Sequence, residues 1–294
     1  MDLTGQTAIV TGAGRGIGRA IAVALSGAGA TVIANDLDPD ALDETLSHCP
    51  GGHGVVAPIG EDGAAETCVE RAIEVTGRLD VLVANAGILR DRVLWKTTDE
   101  DFDAVIRTHL RGTFLCARAA ARRMREAGEG GALLLTGSPA GQAGNFGQTA
   151  YAAAKAGIAA MARTWSMELA RDRIAVNAML PTAMTRMAAT IPSLAPHAEA
   201  MARGEPLPDR LRAAGVGTVD DVAPLALFLA SPAGRGITGQ CLGIGGDRLT
   251  VWSHPAEIAT EERRGGWTAD DIAAAWEARL SAHVQPVGLS LDFD

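Results

Sequence analysis

The chain has few aromatic residues: they make up 4% of its 294 residues, and tyrosine occurs once, at position 151. It also lacks an excess of positive charge, since the formal net charge is −9. No positive field therefore attracts phosphates, which argues against nucleic acid and anionic membrane surfaces as partners. The arginine-dense stretch Arg118–Arg125 has the spacing of a solvated helix face. A phosphate-binding patch there is the less favoured alternative.

Long apolar runs and paired cysteines are absent as well. No run reaches the length of about 20 residues that spans a bilayer, and the first residues lack the pattern of a signal peptide. The cysteines form no C-x-x-C pair and no metal-ligand spacing with histidine, so no metal site is predicted. They are Cys49, Cys68, Cys116 and Cys241. Buried thiols in a reducing compartment are expected, and the cytoplasm is the default location.

Short apolar runs alternate with longer helical patterns along the chain. Candidate strands lie at 7–11, 31–35, 55–59, 80–84, 132–136, 174–179 and 240–244. Candidate helices lie at 17–28, 64–75, 101–126, 150–170 and 220–230. This alternation predicts an α/β fold: a doubly wound (Rossmann) seven-stranded parallel sheet with right-handed crossovers.

An insertion, Thr182–Thr218, follows the sixth strand. A long segment at a strand's carboxyl end lies where ligands bind in such sheets. We therefore expect a substrate lid, with a plain surface excursion as the alternative.

A C-terminal extension, Leu249–Asp294, follows the main domain of residues 1–248 and holds three of the five tryptophans. Thr268 and Asp271 resemble a capping box that opens a helix through about His283. We expect this helical extension to pack on its own subunit or on a neighbour.

The first strand leads into a glycine-rich turn, T-G-A-G-R-G-I-G at 11–18, and then into a helix. Close approach of a pyrophosphate requires residues without a Cβ, and the helix N-terminus offers free N–H groups and a partial positive charge. In this strand–turn–helix context the turn predicts a dinucleotide site. Its candidate contacts are Gly12, Arg15, Gly16, Ile17 and Gly18.

Asp36 ends the second strand, 18 residues beyond Gly18. A carboxylate there accepts the hydroxyls of an adenosine ribose and disfavours a 2′-phosphate, on the order of tenfold after solvent screening. NAD is therefore the expected cofactor, with Leu37 beside the ribose. Two alternatives stay open: Asp36 only ends a strand, or Arg15 favours a 2′-phosphate.

Tyr151 and Lys155 are four residues apart and share one helix face. A phenol has a pKa near 10, and a nearby ammonium together with an oxidised nicotinamide favours the phenolate. Ser138 follows the fifth strand, and its hydroxyl can hold a substrate oxygen while Tyr151 exchanges the proton. A serine nucleophile is less favoured, because no histidine and aspartate follow a triad order.

With these residues in place, the chain resembles the short-chain dehydrogenase/reductase family from Leu3 to Gly246. The matching motifs are T-G-A-G-R-G-I-G at 11–18, N-A-G at 85–87, Ser138 with Y-A-A-A-K at 151–155, and V-N-A-M-L-P-T-A-M-T at 176–185. The resemblance implies hydride transfer with a nicotinamide cofactor and a dimer or tetramer. It also implies cofactor contacts from Asn85, Ala86, Gly87, Tyr151, Lys155, Pro181 and Thr185.

A narrower resemblance is to the (3R)-hydroxyacyl-CoA dehydrogenases of the multifunctional enzyme type 2 and to bacterial relatives that act on acyl-CoA or steroid side chains. It is carried by N-A-G-I-L-R-D-R at 85–92, H-L-R-G-T-F at 109–114, G-N-F-G-Q-T-A-Y at 144–151 and the tryptophan-containing extension.

Three places depart from the wider family, and a fourth departs from the narrower group. His109 stands where an asparagine supports a proton relay; the ring either serves that relay, as a catalytic residue, or packs between helices. The aspartate after the third strand that holds adenine is missing, and Glu61 or Asp62 is the candidate substitute. Pro181-Thr182 replaces Pro-Gly, and Asp36-Leu37-Asp38-Pro39 replaces the narrower group's glycine-rich stretch, which weakens the acyl-CoA assignment.

Three functions follow from this sequence. The first is an NAD(H)-dependent oxidoreductase interconverting a secondary alcohol and a ketone, with a 3-hydroxyacyl-CoA or steroid-like substrate. The second is an NADPH-dependent 3-oxoacyl (acyl-carrier-protein) reductase, against which Asp36 argues. The third is a non-catalytic cofactor-binding protein, against which the intact Ser138, Tyr151 and Lys155 argue.

Overall fold

Eight strands form one sheet in the order β3-β2-β1-β4-β5-β6-β7-β8 in the computed structural model, which describes residues 1–187 and 194–289. The first seven strands are parallel, and β8 is antiparallel to β7. The strands are β1 Thr7–Thr11, β2 Thr31–Asp36, β3 His53–Val56, β4 Val81–Ala84, β5 Gly131–Thr136, β6 Ile174–Pro181, β7 Cys241–Gly245 and β8 Arg248–Trp252.

Helices cover both faces of this sheet. They are α1 Gly16–Gly27, α2 Pro39–Ser47, α3 Ala64–Thr76, α4 Asp99–Ile106, α5 Gly112–Ala127, α6 Ala140–Ala143, α7 Thr149–Glu168, α8 Ala195–Ala202, α9 Asp209–Ala213, α10 Ala223–Ala230 and α11 Ala269–Ala278. One core layer lies between the sheet and α3, α5 and α7, and the other between the sheet and α1, α2 and α10. This confirms the doubly wound α/β architecture.

The eighth strand corrects the expected count of seven. A two-residue turn at Gly246 and Asp247 reverses the chain, with Gly246 at φ +50°. A glycine at positive φ suits such a hairpin turn. Leu249–Trp252 therefore continues the sheet as an antiparallel edge, although the sequence placed these residues in the extension.

Other boundaries also differ. The predicted helix 101–126 is two α-helices joined by a π-helical segment, Arg107–Arg111. The third strand ends at Val56 rather than at 59, and Pro58 lacks the N–H that a ladder needs. Helix α2 was not expected; Pro39 begins it, and the Asp38 carboxylate accepts from the Ala41 N–H at 3.1 Å as its N-cap.

The insertion has a small apolar cluster of its own, formed by Met184, Leu194, Leu207, Leu211 and Val216. Its residues 188–193 lie outside the described part of the chain. An isolated bridge between Ala183 and Gly217 ties its two ends together. The insertion is therefore anchored beside the carboxyl end of β6.

Beyond the pairing of β8 with β7, the described part of the extension makes two further hydrogen-bond contacts with the main domain. His254 Nε2 lies 3.0 Å from the Gly239 carbonyl oxygen, and the Gly288 N–H donates to Ala143 O of α6 at 2.8 Å. The capping box of Thr268 and Asp271 is present and opens α11 as predicted. Trp276 of this helix is 51% exposed, so a single chain leaves its apolar face uncovered.

Arginines 118–125 are largely neutralised by nearby acids. Arg125 pairs with Asp172 at 2.7 Å, and Arg118 approaches Glu66 at 3.7 Å. This favours an ion-paired helix surface over a phosphate-binding patch. Among the described residues no cluster of metal-ligating side chains occurs, and no described helix is long and apolar enough to cross a membrane.

Candidate active site

The carboxyl ends of β1, β2, β4, β5 and β6 meet at one edge of the sheet, where the predicted site residues lie. Strands β1 and β4 are neighbours in the sheet but not in the sequence. Connections leave such a pair in opposite directions, which opens a crevice at this edge. The glycine-rich turn follows β1, and residues 85–87 follow β4.

The turn is shaped by glycines for two physical reasons. Gly16 has φ +57°, and a Cβ built on it meets no atom within 4 Å, so its backbone is open to a ligand. Gly18 has the opposite environment, since a Cβ there would lie 2.1 Å from the Gly12 carbonyl oxygen. Close packing under the turn and open space above it fit a pyrophosphate, with Ile17 in the first turn of α1.

The segment after β4 packs directly against this turn. Asn85 Nδ2 donates to the Thr11 and Gly12 carbonyl oxygens at 3.0 and 3.2 Å. The Thr11 hydroxyl oxygen accepts from the N–H groups of Asn85 and Ala86. These bonds join the glycine-rich turn and residues 85–87 into one surface, in which Asn85 supports the backbone.

Asp36 lies at the end of β2 and is half-buried. Its carboxylate accepts from the N–H of Gly14 at 2.8 Å, of Leu37 at 2.8 Å and of Asp38 at 3.2 Å. Asp36 therefore fixes the turn. A carboxylate offers about four acceptor positions, so about one is left for a ribose hydroxyl. Leu37 beside it is 64% exposed.

Arg15 is held by a neighbouring acid. Its guanidinium forms an ion pair with Asp38, the N-cap of α2. The positive charge that a 2′-phosphate would need is thus already matched by a carboxylate. This geometry weakens the sequence-based alternative that Arg15 selects a phosphorylated ribose.

Ser138, Tyr151 and Lys155 come together at the ends of β5 and α7. A hydrogen bond from Ser138 lowers the pKa of the Tyr151 phenol, but burial outweighs it and raises that pKa overall. The Lys155 Nζ lies 5.5 Å from the Tyr151 ring centroid and donates to the Thr136 carbonyl oxygen at 2.5 Å. The expected lowering of the Tyr151 pKa is therefore not produced by the chain's own groups.

Lys155 as a residue is 3% exposed. Burial lowers its pKa to about 7, because a low-dielectric interior disfavours the charged form. Lys155 thus exchanges a proton near neutral pH, whereas an exposed lysine stays charged. This makes the side chain suited to proton transfer as well as to electrostatic support.

His109 lies in the π-helical segment, with its ring edge against Tyr151 at a centroid distance of 5.2 Å. Nε2 lies 2.7 Å from the Ile88 carbonyl oxygen and 3.0 Å from the Ile88 nitrogen. Nδ1 is buried without a partner among the described residues. Burial, with a smaller contribution from the charge of Lys155, lowers the His109 pKa to about 3. The ring is therefore neutral at physiological pH. π-Helical turns occur often at functional sites.

Glu61 and Asp62 do not reach into the crevice as free acids. Glu61 lies 3.4 Å from Arg107, and Asp62 lies 2.7 Å from Arg111. Both arginines belong to the π-helical segment, which docks the loop after β3. Both carboxylates are thus paired with an arginine at the surface, and an adenine contact from either of them stays a prediction.

Pro181 ends β6, and Thr185 follows the bridge between Ala183 and Gly217. In the β5–β6 pairing Thr136, two residues before Ser138, is aligned with Met179, two residues before Pro181. Helix α6, which begins two residues after Ser138, accepts a hydrogen bond from the Gly288 N–H through the Ala143 carbonyl oxygen.

Several residues of this site were not singled out from sequence. The Thr11 hydroxyl links the glycine-rich turn to Asn85, and the Thr136 carbonyl oxygen accepts from Lys155. The Asp91 carboxylate accepts from Gln148, close to Tyr151 in the chain. The sequence offered a weak signal for Thr11, which directly precedes the glycine-rich turn. A backbone carbonyl carries no sequence signal, since every residue has one.

We expect Lys155→Met to gain stability relative to the wild type as the pH falls from about 9 to about 7. An unfolded lysine has a pKa near 10.4, whereas folded Lys155 has one of about 7. Between these values the unfolded chain binds more protons, so wild-type stability falls as pH falls. The difference in unfolding free energy should grow by roughly 1–3 kcal/mol in denaturant titrations.

The matched control is Lys96→Met, because Lys96 is exposed and is the only other lysine in the chain. Its stability difference from the wild type should stay flat over the same pH range. A flat difference for Lys155→Met as well would contradict a lowered Lys155 pKa.

Comparison with known proteins assigns the fold and the chemistry to one family. The family model described as enoyl-(acyl carrier protein) reductase matches residues 12–246. A solved short chain dehydrogenase from Mycobacterium avium has a TM-score of 0.82 and 32% identity, covering 98% of this chain and 99% of that one.

Three curated relatives carry related names. Hydroxyacyl-CoA dehydrogenase ChsB1 of Mycobacterium tuberculosis is 39% identical, over 86% of this chain and 81% of its own length. The 3-oxoacyl-[acyl-carrier-protein] reductase FabG of Thermotoga maritima is 37% identical, over 84% and 98%. The mouse peroxisomal multifunctional enzyme type 2 is 41% identical, over 64% of this chain and 27% of its own length. This chain belongs to the short-chain dehydrogenase/reductase family and is an oxidoreductase of the CH–OH group.

Proposed function

We propose that this chain is an NAD(H)-dependent dehydrogenase of a 3-hydroxyacyl-CoA, or of a steroid-like alcohol, with Tyr151 as its acid/base. The observation that carries the proposal is the pairing of Tyr151 with Ser138 directly above a buried Lys155. These groups lie at the same sheet edge as the glycine-rich turn. The arrangement supports proton exchange beside a bound dinucleotide.

Each of these residues has a separate role in the oxidation of an alcohol. The Ser138 hydroxyl holds the substrate oxygen, and the Tyr151 oxygen takes its proton. Lys155, with a pKa of about 7, passes a proton onward at neutral pH. In the direction of reduction the same groups return the proton to the carbonyl oxygen.

In this proposal the dinucleotide binds to the glycine-rich turn and to the segment after β4. The turn contributes the backbone of Gly12, Arg15, Gly16 and Ile17, and the segment contributes Asn85-Ala86-Gly87. Asp36 contacts the ribose. When bound, NAD supplies the hydride acceptor and a positive ring that favours the Tyr151 phenolate. The open backbone at Gly16 supports this fit. Asp36 and the Arg15–Asp38 pair support NAD over NADP.

His109 completes the proton path in this proposal. Nε2 lies 2.7 Å from the Ile88 carbonyl oxygen and 3.0 Å from the Ile88 nitrogen, so this ring nitrogen can donate to the first or accept from the second. Nδ1 is buried without a partner among the described residues, and the charge of Lys155 acts on this ring. The proposed path runs from this ring toward Lys155.

The substrate class is supported by apolar side chains on the segments that border Ser138 and Tyr151. Phe146 is 86% exposed and Val287 is 91% exposed, and the Gly288–Ala143 bond places Val287 beside α6. Such surfaces suit a bulky apolar substrate, with the insertion as lid and the extension as a second wall. The hydroxyacyl-CoA dehydrogenase relative supports a thioester.

The second candidate is an NADPH-dependent 3-oxoacyl (acyl-carrier-protein) reductase, favoured by the family model and the FabG relative. The Asp36 carboxylate disfavours the phosphorylated cofactor that this reductase would need.

We further propose a homo-oligomer, a dimer or tetramer, because Phe114 and Met167 expose apolar surface on α5 and α7. The four buried, free cysteines support the cytoplasm as location.

Replacing Tyr151 with phenylalanine removes the hydroxyl and keeps the packing of the ring. We expect kcat to fall by about 10²–10⁴-fold, as for loss of a general acid/base, with NAD affinity little changed. Steady-state rates on a panel of 3-hydroxyacyl-CoAs and hydroxysteroids, and calorimetric NAD binding, measure both. A variant with a tenth of wild-type activity on its best substrate would contradict the assignment.

Asp36→Asn tests the cofactor. The amide removes the charge and keeps one of the two acceptor oxygens, so the ratio of NADP to NAD dissociation constants should fall by about tenfold. Asp40→Asn, an exposed acid on α2, is the matched control and should leave the ratio unchanged. A wild-type protein that prefers NADP would overturn the NAD proposal.

His109→Asn and His109→Leu separate a proton path from packing. The asparagine keeps a donor and an acceptor and should retain most of kcat. The leucine should lower kcat by about 10–100-fold, less than direct loss of an acid/base, with KM little changed. Equal kcat values for two variants of equal thermal stability would show that His109 only packs.

A further inference from the structure

Asp91 and Gln148 connect the two loops that border Tyr151. The Gln148 amide nitrogen donates to the Asp91 carboxylate at 2.9 Å, and Asn145 Nδ2 donates to Gln148 Oε1 at 3.0 Å. A backbone bridge between Arg92 and Gln148 reinforces the contact. Gln148 directly precedes α7, whose first turn holds Tyr151. These bonds hold the Asp91 carboxylate in a fixed place beside that turn.

The charge of Asp91 is not neutralised by its neighbours. Arg90 and Arg92 both form ion pairs with Asp101 instead, at 3.6 and 2.6 Å. Among the described residues no ion pair joins Asp91 to a cation. Its only described side-chain partner is the neutral amide of Gln148.

Among the described residues, the other groups that contact Tyr151 carry no negative charge. Lys155 lies under the ring on the same helix, His109 contacts the ring edge from the π-helical segment, and Ser138 bonds from the end of β5. The Asp91 carboxylate acts on the phenol and raises its pKa, a smaller cause than burial. Asp91 therefore supplies the anionic field on this side of the proposed site.

We propose that Asp91, held by Gln148, is a positioning and specificity residue: it keeps a negative charge beside Tyr151 that tunes proton transfer and rejects substrates with a free carboxylate near the reacting carbon. This rests on the proposed function of Tyr151. Like charges repel across a partly exposed site, whereas a neutral thioester or ester meets no such penalty. The selected substrate class is thus an acyl thioester rather than a free 3-oxo or 3-hydroxy acid.

Asp91→Asn removes this charge and keeps an oxygen acceptor for Gln148. Because Tyr151 is the only tyrosine, its ionisation is read directly from phenolate absorbance in the near ultraviolet. The titration should shift to lower pH by about half a unit, the scale of one partly exposed charge. In the direction of ketone reduction, where Tyr151 acts as the acid, the high-pH limb of kcat/KM for a neutral substrate should shift to lower pH by the same amount. Circular dichroism on the same samples reports folding.

Selectivity is the second readout. The ratio of kcat/KM for a 3-oxoacyl thioester to that for the free 3-oxo acid should fall by about threefold in Asp91→Asn, the factor that half a pH unit represents. Gln148→Met frees the carboxylate and should give smaller changes in the same direction. Asp103→Asn removes an exposed acid of α4 and should change neither readout.

The outcomes separate this inference from the proposed function. If the Tyr151 titration, the pH profile of kcat/KM and the selectivity are all unchanged in Asp91→Asn, then Asp91 only links the two loops. The dehydrogenase proposal would still stand. A wild type inactive on every alcohol and ketone would overturn the proposed function, and the absorbance titration would still test the charge. Should Asp91→Asn fail to fold, Gln148→Met decides: shifts in the expected direction support the inference, and none overturns it.

Discussion

The site depends on the burial of one ammonium group. Lys155 lies beneath Tyr151 and donates to the Thr136 carbonyl oxygen at the end of β5. Removing a lysine from water costs free energy unless the group is hydrogen-bonded or loses its proton. The structure uses both means, with one carbonyl acceptor and a pKa lowered to about 7. Helix α7 must therefore pack tightly against the strand end, which places Tyr151 next to Ser138.

The remaining charges are arranged around this buried group. The N-terminus of α1 offers N–H groups in the glycine-rich turn, and the Asp36 carboxylate accepts from the Gly14 N–H there. Asp91 adds a negative charge that is bonded to Gln148, directly before the helix that carries Tyr151. The proposed selection of the cofactor and the proposed selection of the substrate thus rest on two different carboxylates.

The extension adds apolar surface that one chain does not cover. Strand β8 exposes Leu249 and Val251, and α11 exposes Ile272 and Trp276. Exposed apolar patches of this kind mark contacts with other molecules. Gly288 also bonds to the Ala143 carbonyl oxygen of α6, which lies between Ser138 and Tyr151 in the chain.

Much of the architecture was predictable because it follows from local patterns. Buried parallel strands give continuous apolar runs such as Leu133–Leu135, and the alternation with helices set the doubly wound sheet. The glycine-rich turn was recognisable from its strand–turn–helix context. Boundaries were less predictable: the π-helical segment is a single short turn inside a longer helical pattern, and β8 is exposed along most of its length, so it lacks a buried apolar run.

The sequence by itself determined the class of fold, the turn after β1, and the presence of Ser138, Tyr151 and Lys155 at spacings that favour proton exchange. Only the tertiary structure decided the electrostatics of these residues. Depth of burial raised the Tyr151 pKa and lowered those of Lys155 and His109, against the expected effect on the phenol. It also paired Glu61 and Asp62 with arginines and brought Asp91 to Gln148, 57 residues away. The reason is physical: a pKa and an ion pair depend on distances and on the surrounding dielectric, which exist only after distant segments have packed together.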